Sequence, residues 1–222
     1  MPGTDMQDIT HVLFDLDGTL IDSAPAILAS YQAAFAAAGL SPARPLDTSI
    51  IGPPLLETIA GLFPAASAAQ HAQLAAGFKH SYDREGYRQT SAYAGIGEML
   101  EALRRAGLTL GIATNKRLHP TELILEHLGW RQHFAAVYAL DMISPALPNK
   151  AAMLTHMLGK EQIDPASAVY IGDRAEDGQA SDANQLAFIA ARWGYGSLSA
   201  TALQAHWQQA DTPQALLALL QG

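Results

Sequence analysis

The residues equipped to do chemistry are few, and they come in tight clusters. Asp15 and Asp17 stand two apart in Asp15-Leu16-Asp17-Gly18-Thr19. Asp173 and Asp177 stand four apart in Gly172-Asp173-Arg174-Ala175-Glu176-Asp177. Between the two clusters come Thr114-Asn115-Lys116 and Lys150. Carboxylates brought together repel one another and raise each other's pKa. A bound divalent cation removes that conflict. Oxygen donors without thiolates favour a hard ion, and magnesium suits a site shared with a phosphate. The eight histidines show no His-Glu-x-x-His or comparable spacing, which argues against zinc.

These residues need strands to bring them together. Ile9 to Leu16 is mostly apolar with β-branched residues near its start, and it reads as a strand broken by Asp17-Gly18-Thr19. Leu108 to Ala113 and Ala168 to Ile171 read as buried strands, ending in Thr114-Asn115 and in Gly172-Asp173. Ala135 to Leu140 and Leu186 to Ala190 are further strands. Helices are expected at Ile96 to Arg105, Pro120 to Leu128, Lys150 to Leu158, Glu176 to Asn184 and Pro213 to Leu220. Such alternation predicts a parallel sheet wrapped by helices, and in such sheets ligands bind at the carboxyl ends of strands. Three strand ends thus gather carboxylates, a Thr-Asn pair and a lysine. The stretch from Ser23 to Tyr87 is different. It reads as helix at Ser23 to Ala38, loop at Ser41 to Pro54, then helix again, broken near Pro64, with no strand signal between Ile21 and Tyr93. An all-helical insertion follows the first strand.

Composition bounds the partners. With 222 residues, one large α/β domain fits, or a core with a smaller companion. Apolar residues make up 49%, enough for a sizeable core, and the 15% charged content argues against disorder. A net charge of −8 is a poor start for binding nucleic acid. The absence of cysteine removes disulfides, thiolate catalysis and Cys-ligated zinc. The polar start, Met1 to Thr10, is unlike a signal peptide, and no apolar run reaches the length of a membrane span. A cytoplasmic monomer or homodimer is expected, without nucleic acid or membrane as partner; a small anionic substrate stays open, because a metal ion can reverse the local charge.

The clusters resemble four motifs of the haloacid dehalogenase superfamily. Asp15 to Leu20 looks like the first, Thr114-Asn115 the second, Lys150 the third, and Gly172 to Asp177 the fourth. The insertion resembles the mobile cap of the phosphoglycolate phosphatase-like branch. Ile51-Gly52-Pro53-Pro54-Leu55 and Trp193-Gly194-Tyr195-Gly196-Ser197 resemble a subgroup of phosphoglycolate phosphatases and 5′-nucleotidases. Two departures stand out. The third motif reads Pro148-Asn149-Lys150 where Lys-Pro is common, and the stretch after Asp177 is less rich in Ala and Gly than usual.

The resemblance implies roles. Asp15 is the nucleophile that forms an aspartyl-phosphate. Asp17 protonates the leaving oxygen and later deprotonates water, with its backbone carbonyl on the metal. An acid at this position favours phosphoryl chemistry over dehalogenation. Thr114, Asn115, Gly18, Thr19 and Gly52 border the phosphate or the substrate. Lys150 neutralises the reacting charges, with Lys116 as a rival whose spacing fits worse. Asp15, Asp17, Asp173 and Asp177 hold Mg2+, Asp177 either directly or as a supporting partner. Blander readings stand beside these: a turn aspartate, a helix-capping Thr-Asn pair, a solvated helix-start lysine. Arg44, Lys79, Arg84 and Arg88 are cap cations that reach an anionic leaving group or simply face water. Trp193 and Tyr195 are read as packing residues.

The expected architecture is a doubly wound, Rossmann-like parallel-sheet core of residues 1–21 and 94–222, with an all-helical cap of residues 22–93. The expected activity is Mg-dependent hydrolysis of a small phosphomonoester, phosphoglycolate or nucleotide-like. The alternatives are a phosphosugar mutase of the β-phosphoglucomutase type and a non-catalytic binding protein on the same scaffold.

Overall fold

Alternating side chains on short apolar strands set the architecture. In chain order, the elements are β1 (His11–Phe14), β2 (Ile21–Asp22), α1 (Ala24–Ala38), α2 (Leu55–Leu62), α3 (Ala68–Arg84), β3 (Ser91–Ala92), α4 (Ile96–Arg105) and β4 (Thr109–Thr114). Then follow α5 (Leu118–His127), β5 (Ala136–Ala139), α6 (Lys150–Glu161), β6 (Ala168–Gly172), α7 (Ala175–Ala183), β7 (Ala187–Ala191), β8 (Gln208–Ala210) and α8 (Pro213–Gln221). The computed structural model describes residues 6–195, 198 and 202–222.

Six strands pair in the order β5-β4-β1-β6-β7-β8, every pair parallel. Val12 and Phe14 point to one face, where Ile96, Leu100, Ile124 and Leu216 from α4, α5 and α8 cover them. Leu13 points to the other face, where Met153 and Met157 of α6 and Ala180 of α7 pack with Tyr170 and Phe188. Helices on both faces make the sheet doubly wound. After β1 the chain runs to β4 and β5 on one side, then returns to β6 on the other. The carboxyl end of β1 is therefore the place where a ligand crevice opens.

The helical segment between β2 and β3 packs on itself through α1 and α3. Tyr31 and Phe78 bring their rings within 4.4 Å, and Phe78 stacks on Tyr82 at 5.4 Å. Ser67 and Gln70 form a reciprocal capping box at the start of α3. The helical stretch from Leu55 divides into α2 and α3 around Pro64, as the proline dictates.

Two features differ from the sequence reading. Ile21 and Asp22 pair antiparallel with Ala92 and Ser91, so β2 and β3 bring the two ends of the helical segment together. Two residues a side leave no periodic signal, and the partners are distant in sequence. The sheet also gains β8, whose Gln208–Gln209 pair is too polar to read as a strand.

Candidate active site

The end of β1 fixes the site. Asp15 follows the last strand residue, and its backbone N–H donates to Ile171 O at 2.9 Å, which ties it to β6. Asp173 and Asp177 arrive from the end of β6 and the first turn of α7. Oxygens of Asp15, Asp173 and Asp177 all lie within 4.8 Å of one another, and the three residues are buried. Lys150 enters from the first position of α6, where Asn149 caps the helix by accepting from Ala152 N. Its Nζ lies 2.5 Å from Asp177 Oδ1 and 3.2 Å from Asp15 Oδ1. A cation at a helix N-terminus is unfavourable by itself. The two carboxylates supply the compensation.

The charges shift accordingly. Burial pushes the Asp15 carboxyl up to about 6, against the pull of Lys150 and with the help of Asp177 and Asp17. Burial works against the charge of Lys150, but Asp15 and Asp177 outweigh it and hold its pKa well above the ordinary lysine value. Three buried carboxylates with one ammonium among them leave an excess of negative charge. A divalent cation fits that excess, and the all-oxygen donor set suits a hard ion. The backbone around Asp173 is shaped to match. Gly18 adopts φ +82°, and a Cβ there would run into the Asp173 carboxylate. A Cβ on Gly194 would collide with Gly18 O and with Asp173. Both carboxyl oxygens of Asp177 are already engaged, Oδ1 by Lys150 and Oδ2 by Arg174 N at 3.0 Å.

Asp17 takes a different direction. It is not in the carboxylate group; Lys116 Nζ donates to its two oxygens at 3.0 and 3.2 Å, and Ser23 Oγ donates to Oδ1. Burial opposes the charge of Lys116, but Asp17 and the Tyr82 side chain raise its pKa above the ordinary value. Lys116 also lies 4.5 Å from the Tyr82 ring centroid. Lys116 and Lys150 therefore face different carboxylates: Lys116 pairs with Asp17, and Lys150 with Asp15 and Asp177.

Thr114 is buried and its Oγ1 accepts from Lys116 N. Asn115 donates from Nδ2 to Gly52 O at 3.1 Å, while its Oδ1 is buried with no hydrogen bond among the described residues. Thr19 is buried and its Oγ1 makes none either. Gly52 and Pro53 thus sit directly over the strand ends. Two cavities flank them. One, of about 320 Å3, is lined by Asp15, Lys150, Arg174 and Asp177. The other, of about 50 Å3, is lined by Asp17, Lys116, Tyr31 and Phe78. Arg44, Lys79, Arg84 and Arg88 are exposed and line neither.

Trp193 and Tyr195 do more than pack. Trp193 Nε1 donates to Thr19 O at 2.8 Å. The Tyr195 hydroxyl accepts from Ser23 N and Ala24 N and donates to Asp22 Oδ1 at 2.7 Å. They pin the loop after β1 and the start of α1, a role no motif announces. Gly196 and Ser197 of the same stretch lie outside the described residues. Arg117 was likewise unmarked in the sequence; it pairs with Asp83 of α3 through two hydrogen bonds at 2.5 and 2.8 Å.

Comparison with known proteins places this arrangement. Phosphoglycolate phosphatase of Xylella fastidiosa is 36% identical over 189 residues, covering 84% of this chain and 81% of that one. The 5′-nucleotidase of Pseudomonas aeruginosa is 31% identical, covering 84% of each. Tyrosine-protein kinase PtkA of Mycobacterium tuberculosis is 35% identical over 186 residues, covering 83% of this chain. The match spans 62% of the length of PtkA. A haloacid dehalogenase-like hydrolase of Streptococcus pneumoniae superposes with a TM-score of 0.81 at 26% identity, covering 95% of this chain and 98% of that one. The family described as haloacid dehalogenase-like hydrolase matches residues 12–191, and the chain belongs to that family.

Proposed function

We propose that the chain hydrolyses small phosphomonoesters through a phosphoryl group carried on Asp15. The observation that carries this reading is the division of labour between two aspartates on one strand end. Asp15 faces Lys150 and the carboxylate cluster, while Asp17 faces Lys116. Asp15 lies among the groups that would face a phosphoryl charge, and Asp17 lies apart from them, where it would take its proton from water in each cycle.

Asp15 attacks phosphorus through a carboxylate oxygen and the ester P–O bond breaks. Asp17 gives a proton to the departing alkoxide. Asp17 then removes a proton from water, whose oxygen attacks phosphorus, and the P–O bond to Asp15 breaks to free phosphate. Lys150 balances charge on Asp15 and the phosphoryl oxygens, and Thr114 and Asn115 border those oxygens. Asp15, Asp173 and the Asp17 carbonyl would hold magnesium, which would supply further positive charge beside the phosphoryl group. Asp177, with both oxygens engaged, fits the role of holding Lys150 and the α7 terminus better than that of a direct ligand. Residues 22–93 act as a cap over a core of 1–21 and 94–222, and closure excludes water.

The names of the relatives support the class. Two are called phosphatase or nucleotidase. PtkA, named a tyrosine-protein kinase, points to phosphoryl transfer onto a hydroxyl. A mutase would also pass the group to a hydroxyl, and a non-catalytic protein would pass it nowhere. Phosphate release from p-nitrophenyl phosphate, phosphoglycolate, nucleoside monophosphates and sugar phosphates separates these. Release that needs magnesium and vanishes in Asp15→Asn supports hydrolysis. Isomerised sugar phosphate, or label moving to protein from ATP, would replace it.

A further inference from the structure

We propose that Arg174 is a binding residue for the phosphoryl group, a second cation beside Lys150 that holds the dianion of the ester and of the phosphate product. This inference rests on the phosphatase reading and adds a residue to it. Arg174 lines the larger cavity together with Asp15 and Lys150. The floor of that cavity, with Asp15, Lys150 and Asp177, is buried. Its rim is exposed at Glu57, Asn149 and Glu176, so the cavity opens to water on that side.

The guanidinium is seated but not neutralised. The Arg174 backbone N–H donates to Asp177 Oδ2 at 3.0 Å, which anchors the residue. Further out, Cδ, Nε and Cζ rest on Gly52, where a Cβ would lie 2.5 Å from Nε. Gly52 holds φ +116°, so glycine serves both the turn and this close approach. Nη2 donates to Thr48 O at 3.5 Å, longer than an ordinary hydrogen bond. Among the described residues no carboxylate pairs with Arg174. Lys150 pairs with Asp15 and Asp177, Lys116 with Asp17, and Arg117 with Asp83. Glu57 and Glu176 also line the cavity, but both face water and neither pairs with Arg174. A partly buried guanidinium with no anion beside it has an unmet demand. Its planar fork of donors matches phosphate oxygens. The ammonium of Lys150 is already shared between two carboxylates, so a phosphoryl dianion brought to Asp15 needs this further charge.

Inorganic phosphate, which carries no leaving group, is the probe. Calorimetric titration into the magnesium-loaded protein should show Arg174→Gln binding phosphate at least about tenfold more weakly than wild type. Magnesium affinity, titrated in parallel without phosphate, should be unchanged. Arg174→Lys keeps the charge and loses the fork, and should recover part of the loss. Circular dichroism checks folding; where Arg174→Gln does not fold, Arg174→Lys carries the same comparison. A folded variant that binds phosphate like wild type overturns the inference. So does one that loses magnesium and phosphate affinity together, which would make Arg174 a prop for Asp173 and Asp177. Wild-type protein that neither binds phosphate nor releases it from p-nitrophenyl phosphate instead removes the phosphatase reading itself.

Discussion

Lys116 Nζ lies 3.0 Å from Asp17 Oδ1, at the ends of the adjacent strands β4 and β1, and both side chains are nine-tenths or more buried. Removing one member strands the other. Lys116→Met should destabilise the protein by about 3 kcal/mol at neutral pH, and Lys116→Met with Asp17→Asn by clearly less. Urea titrations of the two variants measure this. A loss in the double variant at least as large as that in Lys116→Met would contradict the pairing.

Asp17 is assigned the proton to the leaving group, so its importance should depend on the leaving group. Asp17→Asn should slow an alkyl phosphate by roughly 100-fold or more and p-nitrophenyl phosphate by much less. A good leaving group departs without help. Steady-state rates on both esters decide it, and equal losses would contradict the assignment.

The carboxyl of Asp15 is pushed up to about 6, chiefly by burial. A protonated carboxyl does not ligate a cation. Magnesium affinity should therefore hold at pH 7 and above and weaken as pH falls through about 6, approaching tenfold per unit for one competing proton. Calorimetric titrations at several pH values test this. The same shift acts on the metal-free fold. The folded state keeps a proton that the unfolded state has lost between pH 4 and 6, so this group lowers stability as pH rises across that window.

Gly18 holds φ +82° against the Asp173 carboxylate. Gly18→Ala brings a strained backbone and a displaced Asp173. It should cost about 1–3 kcal/mol of stability and weaken magnesium binding at least about tenfold. Melting curves and metal titrations report the two effects separately.

The sheet was legible because its strands are short apolar runs bounded by turns, with Asp15 and Asp173 directly after β1 and β6 and Thr114 at the end of β4. Lys150 was legible because its place in the motif order singles it out. Lys116 reads only as a weaker rival of Lys150, because spacing along the chain does not reveal that β4 lies beside β1 and delivers it to Asp17. The β2–β3 ribbon escaped notice because two residues a side carry no periodicity. Tyr195 and Trp193 read as packing residues because an aromatic gives no sign of where its polar atom goes. The Asp83–Arg117 pair joins α3 to the residue before α5, a contact only tertiary structure creates.

The central claim is that Asp15 carries the phosphoryl group. Rapid acid quench during turnover, followed by mass spectrometry of the peptide containing Asp15, tests it most directly. The account predicts a phosphoryl adduct on Asp15 that hydroxylamine removes, absent from Asp15→Asn together with phosphate release. Undiminished phosphate release by Asp15→Asn, or an adduct on a different residue, would contradict it.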